Sequence, residues 1–143
     1  MTTPQSAQTA KRAFTMVEML IVIAVIGIMS ALVISAFSNA AQDTRRVVAR
    51  QQQAAVQNAV NAWVNAKSDE VGLSGALTLY NTAGNSRDRL TLVRDYLDDS
   101  SYAHFLSNTT AAAEIKSAAL KKTGQHLALD TWVATSYPKV ELK

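Results

Sequence analysis

Residues Met19 to Phe37 read MLIVIAVIGIMSALVISAF, 19 consecutive positions without a charge. As a helix rising about 1.5 Å per residue, this stretch comes close to the roughly 30 Å of a bilayer core. It is longer than the roughly 7–15 apolar residues of a secretory signal core. Ser30 and Ser35 are its only hydroxyls, and a helix can satisfy a serine hydroxyl with its own carbonyls. A helix apolar on every side must be buried in lipid or in other protein. Residues 38–143 are too few to wrap it all round, so the sequence predicts a bilayer-spanning helix.

Composition agrees. The chain has 143 residues, 48% hydrophobic and 17% charged. The charged share is below the roughly 25% of a soluble domain. A net charge of +3 and no clustered basic face argue against a nucleic-acid partner. The absence of cysteine excludes disulfides, thiol chemistry and cysteine-based metal sites. The length allows one domain plus a short appendage.

The flank before the apolar run, MTTPQSAQTAKRA, has no acidic residue and ends with Lys11-Arg12 before Ala13. Positive charge ahead of a span keeps that end cytoplasmic, which places the chain from Ser38 onward across the inner membrane. Arg45, Arg46 and Arg50 lie on that far side and run against the simple count.

Glu18 is out of place. It opens the apolar run behind Phe14, Met16 and Val17. A carboxylate costs about 2.5–3.5 kcal/mol at a membrane centre on insertion scales and less near an end. Either it lies in the headgroup zone, favoured by the helix dipole, or it has a positive partner.

The run Lys11-Arg12-Ala13-Phe14-Thr15-Met16-Val17-Glu18-Met19-Leu20 resembles the class III signal of type IV pilins and type II secretion pseudopilins. In that family a basic leader ends in a small residue. Phenylalanine, commonly threonine, two apolar residues, glutamate and an apolar helix follow. Ala13 stands at the small position, where glycine is usual, and alanine is small enough for a narrow protease subsite. Gly27 matches a glycine often found midway along the helix. The family's frequent proline further along is missing: Met29 to Phe37 has serine and alanine instead. Without proline's lost donor and steric clash, that part of the helix should be less kinked and less easily melted.

The resemblance implies cutting between Ala13 and Phe14 by a prepilin peptidase, N-methylation of Phe14, and retention of the helix in the membrane. It implies that Glu18 neutralises the terminal amine of a neighbouring subunit. A buried carboxylate is costly unpaired, and an ammonium partner offsets that cost while fixing the stagger. Ala24, Gly27, Ala31 and Ser35 recur every three or four residues on one face, as close helix packing in lipid favours. Implied partners are further copies in a homo-oligomeric filament, other pilin-like subunits, an inner-membrane assembly platform and the lipid bilayer. No cofactor is implied.

The expected organisation is a leader at 1–13, a transmembrane and assembly helix at 14–37, and a pilin-like head at 38–143. The fold class is α+β: a long N-terminal helix with short helices and a short antiparallel sheet packed on its second half. The helix should continue to about Lys67 or Asp69, with Val56, Ala59, Val60, Trp63 and Val64 inward. Arg45, Gln52, Asn58 and Asn65 should face outward. Val71 to Gly75 reads as a loop, and Ala76 to Tyr80 as a short strand or turn-like segment. Ser86 reads as the N-cap of a helix over Arg87 to Leu97, and Asp98 to Ser101 as a boundary. Thr109 or Thr110 reads as the cap of a helix ending before Gly124. His126 to Asp130 and Thr131 to Thr135 alternate like strands, with a short edge at Val140 to Leu142.

Asp98-Asp99-Ser100 is too sparse for the six to eight oxygens of calcium. His104 and His126 lack a metal-ligand pattern. Ser74 in GLSG lacks nucleophile-elbow spacing. No catalytic constellation is expected. The resemblance implies a filament subunit, first a type II secretion pseudopilin and alternatively a major or minor type IV pilus subunit serving adhesion, motility or DNA uptake; many type IV pilins carry a C-terminal disulfide, so the lack of cysteine tilts towards a pseudopilin-like or minor subunit. A single-span binding protein that never polymerises is the other alternative, and such an anchor needs neither Glu18 nor the Ala13–Phe14 junction.

Overall fold

The structure, a computed structural model, describes residues 14–143; the expected leader at 1–13, with Ala13, lies outside the described residues. The described residues divide into two compact units, one ending at Ala40 and the other spanning Ala41–Lys143. Helix α1, Met16–Thr82, contributes to both. The fold is α+β, as expected: a long helix that begins apolar, short helices, and a two-stranded antiparallel sheet.

In the first unit every described residue is exposed. Gly27 is the only glycine before the middle of the chain and no proline interrupts the run, so nothing breaks the backbone ladder. Ser30 Oγ donates to the Ile26 carbonyl at 2.7 Å, the local bond expected of it.

In the second unit α1 is amphipathic. Val56, Ala59, Val60, Trp63 and Val64 are all buried, as their spacing predicts. They meet Tyr80, Leu90, Val93, Phe105, Ile115, Leu120, Leu127, Leu129 and Trp132 in one core. Each fully buried Val, Leu, Ile or Phe there contributes on the order of 1.5–3 kcal/mol. Asn58 and Asn65 face outward as expected, but Arg45 and Gln52 are half-buried. Gln52 Oε1 accepts from Ser117 Oγ at 2.7 Å, so a residue expected in solvent binds the head together.

The expected loop at Val71 to Gly75 is a single-residue break. Gly72 takes φ 75°, ψ 163° and the helix resumes. Ala76 to Tyr80 is therefore helical, neither strand nor turn: Ala76 and Tyr80, four residues apart, both reach the core. Helix α2, Ser86–Leu92, is capped by Asn85 rather than Ser86, the Asn85 side chain accepting from Asp88 N–H at 3.0 Å. It stops at Leu92, and a 3-10 turn follows at Arg94–Tyr96. The Asp98 boundary opens helix α3, Asp99–Asn108, with Asp98 as its N-cap. The helix expected from Thr109 begins later: α4 is Ala118–Thr123, capped by Ser117. Ile115 instead bridges to Leu127 in extended conformation. The end before Gly124 is as expected. Gly124 adopts φ 71°, and Gly124 and Gln125 N–H return to the Lys121 and Leu120 carbonyls, a Schellman close.

Strand β1, Leu127–Leu129, pairs antiparallel with β2, Val140–Leu142, with Leu129 opposite Val140. Thr131 to Thr135 is not a strand. Trp132 turns into the core there, while residues 133–137 are exposed.

That irregular tail is tied to α1 by side-chain amides. Gln53 Nε2 donates to the Val140 carbonyl at 2.8 Å. Gln57 Oε1 accepts from Val140 N–H at 2.8 Å while its Nε2 donates to the Pro138 carbonyl at 3.0 Å. Asn81 exchanges both its amide bonds with the Trp132 backbone, at 2.8 and 2.9 Å. The alanine- and glutamine-rich composition of α1 thus has a structural purpose that periodicity alone does not reveal.

Candidate functional site

The site begins where α1 begins. Thr15 precedes the first helical residue, and Glu18 lies three positions on. Thr15 N–H and Thr15 Oγ1 both donate to Glu18 Oε2, at 2.8 and 3.0 Å, and Thr15 Oγ1 accepts from Glu18 N–H at 3.2 Å. This is a reciprocal capping box: the hydroxyl satisfies one free donor of the first turn and the carboxylate another. The signal is present in the sequence as T-x-x-E before an apolar run, and it gives Glu18 a local partner beside the helix dipole and the positive partner expected of it. Both carboxylate bonds fall on Oε2; Oε1 takes part in neither.

Around this cap the surface is apolar. Phe14 is 76% exposed and Met16 86% exposed. Phe14, Met16, Met19, Leu20 and Ile23 line a shallow apolar groove beside Thr15. Further along, α1 has the length and composition to cross a membrane, with a mean hydropathy of 2.8 over an 18-residue window, none of it buried in the protein.

Ala24, Gly27, Ala31 and Ser35 are exposed and fall within about 80° of one another around the helix, at roughly 100° per residue. A Cβ added at Gly27 would meet nothing within 4 Å. The fold of this chain alone therefore does not require glycine there.

The family model described as the prokaryotic N-terminal methylation motif matches residues 8–34. The N-terminal segment is that of the type IV pilin-like superfamily. The matched region takes in Phe14, Thr15, Glu18, Ala24, Gly27 and Ala31, and ends before Ser35 and the head. No curated protein and no solved structure matches the chain.

The other sequence candidates have local roles. Asp98 caps α3: its carboxylate accepts from the Ser100 hydroxyl and from Ser101 N–H. Those bonds, the Ser100 hydroxyl first, hold its carboxyl below the usual range. His104 Nε2 accepts from Ala118 N–H at 3.3 Å, at the start of α4. His126 exchanges backbone bonds with Lys143 beside the sheet. Among the described residues, no group of three or more His, Asp or Glu could hold a metal ion. Ser74 is exposed, and its carbonyl accepts from Thr78 Oγ1.

Proposed function

We propose that this chain is a structural subunit of a pilin-like filament, most readily a type II secretion pseudopilin, that performs no catalysis of its own. The observation that carries the reading is an uncovered apolar helix opened by the Thr15–Glu18 cap, in register with the methylation motif. The cap would serve the start of any helix, so it is the register with the methylation motif that favours a filament subunit over a simple anchor.

In this reading a prepilin peptidase on the cytoplasmic face cuts between Ala13 and Phe14, and the new Phe14 amine is methylated. The helix stays in the bilayer as a single span with the head on the opposite side. On assembly, Glu18 pairs with the Phe14 ammonium of a neighbouring copy. Because the cap engages Oε2 only, Oε1 can accept that ammonium without opening the first turn. The pair forms at one axial stagger and so selects register. The Ala24, Gly27, Ala31 and Ser35 face then packs against neighbouring helices at close approach. The assembly platform and other pilin-like subunits supply the remaining contacts. The lack of a cysteine pair favours a pseudopilin-like or minor subunit over a disulfide-closed pilin.

Co-expression with a prepilin peptidase and its methylating activity tests this. The intact mass should fall by residues 1–13 and rise by one methyl group, and the product should assemble. Glu18→Ala should insert normally and give little filament. An unchanged mass, or wild-type filament from Glu18→Ala, overturns the reading.

A further inference from the structure

Within the Ala41–Lys143 unit, Gln42, Arg45 and Arg46 of α1 face Lys122, Thr123 and Gln125 at the end of α4 across a cleft of about 370 Å³. Three cations from two distant parts of the sequence line it, and no carboxylate is among its lining residues. Helix α4 explains its own lysines, which complement the negative end of the dipole. It does not explain two arginines converging on the same place from α1. Asp43 lies nearby, with Oδ1 3.9 Å from Arg46 Nη1, but both side chains are at least 70% exposed. Water screens such a pair strongly, so Arg46 can turn to a better anion.

A ligand for this cleft therefore needs an anion for the three cations. In sequence, Arg45 follows Phe37, the last residue of the apolar run, by eight positions. We propose that the cleft binds the headgroup of an anionic phosphatidylglycerol-type lipid. The phosphodiester sits among Arg45, Arg46 and Lys122. The proposal rests on the anchored reading above. It also accounts for arginines on the side of the span where the charge rule does not want them, since they serve lipid headgroups there.

The test uses the full chain. Insertion into phosphatidylcholine vesicles is measured first; failure to insert overturns the anchored reading itself. Detergent-solubilised protein is then titrated with short-chain phosphatidylglycerol, short-chain phosphatidylcholine and inorganic phosphate. Two triple variants remove equal charge: Arg45→Gln/Arg46→Gln/Lys122→Gln inside the cleft, and Arg50→Gln/Arg87→Gln/Lys139→Gln on exposed positions elsewhere. Wild type and the second triple should retain phosphatidylglycerol, while the cleft triple should lose roughly a hundredfold, each cation being worth about fivefold near a charged lipid surface. Equal loss in both triples, equal affinity for phosphatidylcholine, or inorganic phosphate binding as tightly as the lipid would each overturn the proposal. So would loss of self-association by the cleft triple with lipid retention intact, which would assign the cleft to an acidic group of a second copy.

Discussion

Tyr80 and Arg89 show how individual side chains settle in this head. The Tyr80 ring lies between Trp63 and Trp132, with centroids at 5.9 and 6.2 Å, and the Arg89 guanidinium stands 5.5 Å from its centre. Arg89 is itself buried, donating to the Leu129 carbonyl at 2.6 Å and to Thr131 Oγ1 at 3.3 Å. The Tyr80 hydroxyl is buried without a partner among the described residues, and burial pushes its pKa up to about 12. The folded state therefore holds this proton more tightly than the unfolded chain. The stability involved is fully present below about pH 10 and is lost as pH rises towards 12. At about 1.4 kcal/mol per unit, the loss reaches about 2–3 kcal/mol. Tyr80→Phe should remove that alkaline weakening and change stability at pH 7 by less than about 1 kcal/mol, since no bond is broken. Chemical denaturation at pH 7 and pH 11.5 checks both. At the other end of the chain, Thr15→Ala should cost the first turn about 1 kcal/mol, whereas Thr15→Ser should cost little. Amide exchange of the first turn in detergent micelles reads the difference.

At the scale of the element, the sequence revealed the apolar half of α1, the buried stripe, the Gly124 stop and the β2 edge. Each rests on a signal local to its own residues. The Gly72 region was misread because two glycines in four residues suggest a loop. The structure uses only Gly72, at φ 75° and ψ 163°, to redirect the helix. Thr131 to Thr135 misled for another reason. Its alternation imitates a strand, but both edges of β1 are already occupied, by Val140 to Leu142 and by Ile115. The cap at Thr15 was readable and was missed. The tail's amide ties were not readable, because partners about 50 to 87 positions away leave no local pattern. Gly72→Ala tests the break directly. A Cβ there would touch nothing within 4 Å, so the cost is purely that of the backbone region, about 1–3 kcal/mol. The head's melting temperature should fall accordingly, with the core aromatic near-UV signal retained below the transition.

On the scale of the whole chain, the head closes through hydrogen bonds rather than covalent links. Gln57 is the hub, joined to Pro138 and Val140 and also to Asn61 Oδ1 at 3.0 Å. Gln57→Leu should destabilise the head by about 1–3 kcal/mol, leaving half-buried backbone groups of the tail unsatisfied. Hydrogen exchange at Val140 should accelerate more than at Lys121 within α4. Uniform acceleration would mean a general loss of stability rather than release of the tail.

These ties have an order built into them. Gln53 and Gln57 precede Gly72, Asn81 follows it, and all three are met by residues 132–140. The bend is thus braced from outside by residues synthesised well after it. The greasy segment is made before the brace. During synthesis α1 therefore cannot hold its braced bend until residues 132–140 have emerged, and the mature shape of the head comes later than its longest element.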